Sequence, residues 1–290
     1  MQFPELEYDF PFRLIKLEDN NTVAACEAGS GETVLLFVHG LASYMKAWFK
    51  LIPFFENNFR CITIDLPGYG KSTGGVHPGT QKYYSDVLKK LIDTLELKNV
   101  IGVGHSMGGQ VVLSAALEHP GIFKKMVLFA PAGFETFTPE ETAWIRKNYT
   151  AQTYSLPDET QLRNAYNSNF FRVPADMESM LQDRIKMTGY KNFPQYCEVV
   201  ANSLHGLVEA PVFARLKEIN VPASVIYGAN DALIPHPLIH KDHNLKEVAA
   251  RAVAENNLFE LNIINECGHF VPFEKPGESA EIINRFLGMS

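Results

Sequence analysis

The chain has 290 residues, of which 46% are hydrophobic and 20% charged, and its net charge is −7 at neutral pH. That apolar share supports a substantial core, and an acidic balance without a basic block excludes the electrostatic footprint of a nucleic-acid binder. No stretch is long and apolar enough to span a bilayer. The opening MQFPELEYDF, with Glu5 and Glu7, does not fit a secretory or organellar leader, and Cys26, Cys61, Cys197 and Cys267 show no CxxC spacing, so the expectation is a cytoplasmic globular protein.

In chain order, short β-branched runs alternate with longer helical patterns, the signature of βαβ units and a mostly parallel sheet. TVLLFVHG (Thr33 to Gly40) reads as a buried strand, and YMKAWFKLIPFFENN follows with mixed apolar spacing. RCITIDLPGYG is a strand running into a Pro/Gly turn. The next segment, TQKYYSDVLKKLIDTLEL, places Tyr84, Val87, Leu88, Leu91, Ile92 and Leu95 on one helical face. NVIGVG is a further strand, MGGQVVLSAALEHP a helix and KKMVLFAPAG a strand. From about Gly133 to Ala210 this rhythm gives way to a polar, aromatic-bearing stretch that reads as several helices. It resumes with the strand VPASVIYGAND, a helix near Leu245 to Glu255, the strand LFELNIINECGHF and a last helix from Glu278 to Leu287. The expected organisation is one α/β core, residues 1–132 and 211–290, carrying a helical cap insertion at 133–210.

Gly104-His105-Ser106-Met107-Gly108 matches G-x-S-x-G, whose glycines permit a sharp strand-to-helix turn that exposes the serine hydroxyl. A glycine turn with an incidental serine is the bland alternative; a strand before the motif and a helix after it weigh against that reading. A serine nucleophile needs a base, and the base needs a carboxylate to fix its tautomer. Asp231, just past ASVIY, and His269, just past LNIIN, follow in the chain order Ser, Asp, His, each at the carboxyl end of an apparent parallel strand. Glu135 is the reserve acid. The oxyanion hole calls for backbone N–H donors, from Met107 after the nucleophile and from Leu41 in the HGLAS loop, which lacks a lipase-type HGGG run.

Together FVHGLAS, DLPGYGKS, GHSMGG, YGANDALIP and CGHFVPFEKP resemble, in order and over nearly the whole chain outside the cap, the recurring blocks of the α/β-hydrolase fold superfamily in its cap-bearing serine hydrolase branch. The resemblance implies a mostly parallel eight-stranded sheet flanked by helices, with Ser106, Asp231 and His269 as the triad and Leu41 and Met107 as amide donors. Haloalkane dehalogenases and epoxide hydrolases, which carry an aspartate at the position of Ser106, are set aside. The separation of Asp231 from His269 is longer than is usual in the branch.

His236, His240 and His243 have helical spacing, but Pro235 and Pro237 argue against a helix there, and serine chemistry requires neither metal nor cofactor. Asp65 reads as structural, Cys267 as a small buried residue and His105 as packed beside the nucleophile. Aromatic cap residues suit an apolar or aromatic acyl substrate. Arg146, Arg163, Arg172 and Arg184 are candidates for a substrate carboxylate, although solvent-facing arginines are the commoner case. The expected activity is that of a carboxylic ester hydrolase, acting on an ester, thioester or lactone through an acyl-enzyme. The alternatives are a C–C bond hydrolase of vinylogous diketones, which an arginine or asparagine near the scissile bond would favour, and a hydrolase-fold ligand receptor. A homodimer is one assembly the sequence allows.

Overall fold

All five side chains of VLLFV are buried, and they alternate between the two faces of a sheet: Val34, Leu36 and Val38 join one apolar cluster, Leu35 and Phe37 the other. A strand covered on both faces is what a parallel sheet between two helical layers requires. The computed structural model describes residues 3, 6, 8, 10–18, 21–73, 75–156 and 158–289; Glu5 and Glu7 of the opening segment lie outside them. Among the described residues the strands are β1 (Arg13–Lys16), β2 (Thr22–Ala28), β3 (Val34–Val38), β4 (Arg60–Ile64), β5 (Val100–His105), β6 (Lys125–Phe129), β7 (Ala223–Gly228) and β8 (Phe259–Ile264). They form one sheet in the order β1-β2-β4-β3-β5-β6-β7-β8, antiparallel at β1, β2 and β4 and parallel from β4 to β8. The strands β1 and β2 match no segment read from the sequence: in RLIK only Ile15 is buried, so this edge strand carries no clear alternation, and in β2 the buried residues Val23, Ala24 and Ala25 are consecutive.

From β3 the chain steps outward to β4, then returns to β5 on the other side of β3. The loops leaving β3 and β5 therefore run in opposite directions and open a crevice at the carboxyl edge of the sheet, the usual position of a site in such folds. Helices α1 (Gln81–Thr94) and α2 (Met107–Glu118) pack against each other on one face. The predicted stripe of α1 is buried from Tyr84 to Ile92, and the Thr80 hydroxyl caps the helix by accepting from the Tyr83 N–H.

Between β6 and β7 lie α3 (Pro139–Asn148), α4 (Ala151–Ser155), α5 (Glu159–Asn167), α6 (Glu178–Thr188) and α7 (Phe193–Glu209). The first three start with side-chain capping boxes at Thr138, Thr150 and Asp158, which fix where the helices begin. The longest, α7, is fastened to the core. Gln110 Nε2 donates to the Leu207 and Ala210 carbonyls, and Tyr84 hydrogen-bonds Ser203 at 2.8 Å. A Cβ on Gly79 would lie 2.4 Å from the Asn202 carbonyl carbon, so the turn before α1 and the backbone of α7 meet because this residue is glycine. After β7 come α8 (Leu245–Ala254), the single turn α9 (Val271–Glu274) and α10 (Pro276–Leu287); α10 starts two residues before the expected Glu278 because Pro276 suits a first helical position. None of the described helices is long and apolar enough to cross a membrane.

Buried polar groups fix the loops beside the crevice. The Asp65 carboxylate accepts from Tyr8 Oη (2.6 Å), Met45 N (2.8 Å) and Lys71 N (2.8 Å), joining three segments, and burial pushes its carboxyl up to about 6 against the pull of those donors. His39 Nε2 accepts from Leu66 N while Nδ1 donates to the Gly40 carbonyl, and burial lowers this histidine to about 4. Burial also holds His77 below its ordinary range and His105 well below it. These histidines are neutral when folded but take up protons in the unfolded chain below about pH 6.5. The native state then binds fewer protons, and stability falls as pH drops from about 6.5 toward 4. Asp65 acts in the opposite sense, removing stability as pH rises from about 4 to about 6. Because several histidines oppose one carboxylate, the free energy of urea unfolding is expected to be lower at pH 5 than at pH 7; an equal or higher value at pH 5 would contradict this assignment.

Candidate active site

Ser106 joins β5 to α2 with φ 53° and ψ −119°, a conformation that costs a non-glycine residue about 1–3 kcal/mol. Its neighbours impose the turn. The Ser106 N–H donates to the Phe129 carbonyl (2.9 Å), and the Ser106 carbonyl accepts from Gly109, Gln110 and Ala132. A Cβ on Gly108 would stand 2.1 Å from the Val38 carbonyl oxygen, and one on Gly104 would stand 2.4 Å from that of Gly108. The two glycines of the motif thus serve close backbone approach, and only the serine takes the positive φ.

Past the ends of β7 and β8, Asp231 Oδ2 accepts from His269 Nδ1 at 2.7 Å, with both side chains buried. Asp231 Oδ1 also accepts from the Leu233 and Ile234 N–H groups, at 2.8 and 3.0 Å. A carboxylate oxygen accepts, so the Oδ2 contact places the proton of a neutral His269 ring on Nδ1 and leaves Nε2 as the acceptor nitrogen. The two loops are laced together by Ala229 N to Ile264 O and Asn230 N to Cys267 O. Gly228 admits that approach, since a Cβ there would lie 2.1 Å from the Gly268 carbonyl oxygen. The long connection from Asp231 to His269 is taken up by α8 and its flanking loops, and the pair still meets.

Ser106 and His269 line one cavity of about 490 Å³, along with Gly40 and Leu41 from the loop after β3. Met107 is the first residue of α2, so its N–H is among the donors a helix leaves without an intrahelical partner. Leu41 thus lines the same cavity as the serine, and Met107 follows the serine at the start of α2.

His105 does more than pack. Its Nε2 lies 3.0 Å from the His269 carbonyl, which can only accept, so His105 carries its proton on Nε2 and holds the backbone of the base loop. Its ring stacks on Phe270 at 4.8 Å, and Nδ1 is buried without a hydrogen-bond partner. Burial, assisted by the neighbouring His269, keeps it neutral. Cys267 is buried, and burial raises its thiol well above the ordinary range, which suits packing and not attack. The carboxylate bonded to His269 is Asp231, whereas Glu135 accepts from His236 N and His240 Nδ1. The segment from His236 to His243 is turn and bend, and among the described residues no group of three His, Cys, Asp or Glu side chains is arranged to hold a metal.

The four cap arginines separate by burial. Arg146 pairs with Glu209, Arg163 with Glu159 and Glu178, and Arg172 with Glu266, all at the surface. Arg184 is 5% exposed, lines the cavity, and lies over the rings of Phe193 and Tyr196 at 5.0 and 4.6 Å. The adjacent carboxylate, Asp183, is taken up by Tyr44 (2.5 Å) and Lys46, and Arg184 Nη1 is buried with no hydrogen-bond partner. Sequence alone gave no reason to prefer Arg184 over the other three.

Residues 33–276 match the alpha/beta hydrolase fold family, and the chain belongs to it. It is 29% identical to the 2-hydroxy-6-oxo-6-phenylhexa-2,4-dienoate hydrolase of Comamonas testosteroni, over 90% of this chain and 89% of the relative. It is 27% identical to the 2-hydroxy-6-oxononadienedioate/2-hydroxy-6-oxononatrienedioate hydrolase of Paraburkholderia phymatum, with the same coverage of 90% and 89%. A solved structure of a probable hydrolytic enzyme from Pseudomonas aeruginosa PAO1 superposes with a TM-score of 0.83 at 18% identity, covering 97% of this chain and 96% of the other, and shows the shared fold. The two curated relatives overturn the expectation of a carboxylic ester hydrolase, since both are hydrolases of 2-hydroxy-6-oxo acids. The physical reason is that G-x-S-x-G and a triad equip a protein to attack a carbonyl but do not specify the bond that then breaks.

The elbow geometry generates a direct expectation. Gly108→Ala forces a methyl group into the Val38 and His39 carbonyls, 2.1 and 2.5 Å away, so it should cost about 2 kcal/mol or more and lower the thermal midpoint by several degrees. A wild-type midpoint in a thermal melt would contradict the close packing of α2 on β3.

Proposed function

We propose that the protein is a serine-dependent C–C bond hydrolase of 2-hydroxy-6-oxo-dienoates, which are vinylogous diketones. The observation that carries this reading is Arg184, a buried guanidinium in the wall of the catalytic cavity whose Nη1 is unpartnered. A buried cation without a counter-ion is costly, and a ligand carboxylate that completes it is correspondingly well bound. The 2-hydroxy-6-oxo acid hydrolases among the relatives add independent support.

The chemistry follows from the electron count. A ketone C–C bond breaks only when the departing carbon can delocalise its electron pair. Tautomerisation of the dienol places a proton on C5 and a ketone at C2, so the pair released from the C5–C6 bond flows through the C3–C4 alkene onto the C2 oxygen. Arg184, bound to the C1 carboxylate end, favours that build-up of negative charge. His269 Nε2 takes the proton of Ser106 as its Oγ attacks C6, and Asp231 steadies the resulting imidazolium through Nδ1. The N–H groups of Leu41 and Met107 receive the charge on the C6 oxygen. Collapse expels the dienolate, which takes the proton back from the His269 imidazolium and leaves as the hydroxydienoate; the neutral His269 then deprotonates the water that releases the acyl group from Ser106 as a carboxylic acid.

Two variants test these roles by following the loss of dienolate absorbance. Ser106→Ala is expected to lower kcat on 2-hydroxy-6-oxo-6-phenylhexa-2,4-dienoate by at least about a thousandfold while retaining a wild-type melting curve. Arg184→Gln is expected to lower kcat/KM by about 10- to 100-fold, the worth of a charge-assisted hydrogen bond. Near-wild-type turnover in the first variant would refute Ser106 as nucleophile, and in the second it would remove Arg184 from substrate recognition.

A further inference from the structure

The catalytic cavity has opposite charge on its two sides. Ser106 stands at the end of β5, with β3 on one side and β6 and β7 on the other. Arg184 belongs to the β3 side: it lines a small cleft with Ala42 and Ser43 from the loop after β3, and the neighbouring Asp183 is held by Tyr44 from that loop. Glu135 belongs to the other side, in the loop after β6, where it lines the cavity beside Phe137, Tyr149 and His236. Its side chain is 10% exposed.

The groups around Glu135 do not cancel its charge. Oε1 accepts from His236 N at 2.7 Å and faces His240 Nδ1 at 2.5 Å, while His240 Nε2 faces Glu141 Oε1 of α3 at 3.2 Å. Carboxylates only accept, so both contacts are hydrogen bonds when His240 carries a proton on each nitrogen. One imidazole ring can offset at most one of the two carboxylates that it bridges. His236, whose backbone N–H donates to Glu135, is kept toward its neutral form by burial and supplies no second cation. The rings of Phe137 and His243 stack on the two sides of His240 and hold the bridge in place.

We infer that Glu135 is a specificity-determining residue, and that the acyl half of the substrate is an uncharged aryl or alkyl group and not one ending in a second carboxylate. This rests on the C–C hydrolase reading. With the dienoate carboxylate on Arg184 and C6 at Ser106, the acyl group extends toward the β6 side. A terminal carboxylate there would meet a like charge in a wall largely closed to water, where screening is weak. An aryl ring would meet Phe137, Tyr149, Leu207 and Ile234.

The test compares kcat/KM on 2-hydroxy-6-oxo-6-phenylhexa-2,4-dienoate and on 2-hydroxy-6-oxononadienedioate, in wild type, Glu135→Gln and Glu135→Met. The wild type is expected to favour the phenyl substrate by at least about tenfold. Each variant should narrow that ratio by about tenfold by gaining on the dioate, a change that loosening of the loop alone would not produce, because loosening affects both substrates. If a variant fails to fold, the wild-type ratio and the other variant still decide. A wild-type preference for the dioate, or a ratio unchanged in folded variants, would overturn the inference and leave the C–C hydrolase reading intact. No turnover of either substrate by the wild type would overturn the reading on which it rests.

Discussion

The backbone turn at Ser106 is the constraint on which the site depends. A non-glycine residue is held at φ 53° between a buried strand and a buried helix, and the helix lies so close to β3 that Gly108 has no room for a Cβ. That approach has two consequences. It lifts the serine to the carboxyl edge of the sheet, and it starts α2 directly beneath the serine, so that the first helical N–H, from Met107, is supplied without a separate loop. The local cost of the turn is met by the hydrogen bonds of the Ser106 N–H and carbonyl and by the packing of α2 against the sheet.

Around that turn the polar groups act in layers. Asp231, with its three donors, orients His269, and His105, neutral and protonated on Nε2, holds the His269 carbonyl from the opposite side. Asp65 and His39 fix the neighbouring loop that carries Leu41. Each partner touches backbone as well as side chain, so the proposed base is located by the fold and not by a flexible contact. Farther out, the cavity separates charge: Arg184 on the β3 side favours an anionic substrate end, and the Glu135–His240–Glu141 bridge on the β6 side disfavours one. The substrate is thereby oriented across the proposed nucleophile before any bond is made.

The parallel strands and the three residues gathered at their ends were legible in the sequence because the strands are buried on both faces and their side chains are continuously apolar. Asp231 and His269 fall immediately after such runs, and so the meeting of the two across an intervening helix could be anticipated from strand ends alone. The edge strand β1 was not legible, since one buried residue in four lacks that pattern, and β2 was not, since its buried residues Val23, Ala24 and Ala25 form a short run without alternation. Arg184 could not be told from Arg146, Arg163 and Arg172, because what distinguishes it is the absence of an acidic partner among the described residues, and surface ion pairing is set by tertiary neighbours. The same limit hid the pairing of Glu135, read from the sequence as a reserve acid, with His240, 105 residues away in the chain. Ester cleavage was expected over C–C cleavage because the motif describes the attack and not the leaving group.

The most direct measurement is the relative kcat/KM of the wild-type protein for 2-hydroxy-6-oxo-6-phenylhexa-2,4-dienoate and for phenyl benzoate, two substrates that deliver the same benzoyl group to Ser106. A cavity built around Arg184 for a dienoate leaving group predicts that the dienoate is preferred by at least about a hundredfold, the worth of one well-placed charge-assisted contact in the transition state. Equal or faster turnover of the ester would contradict it.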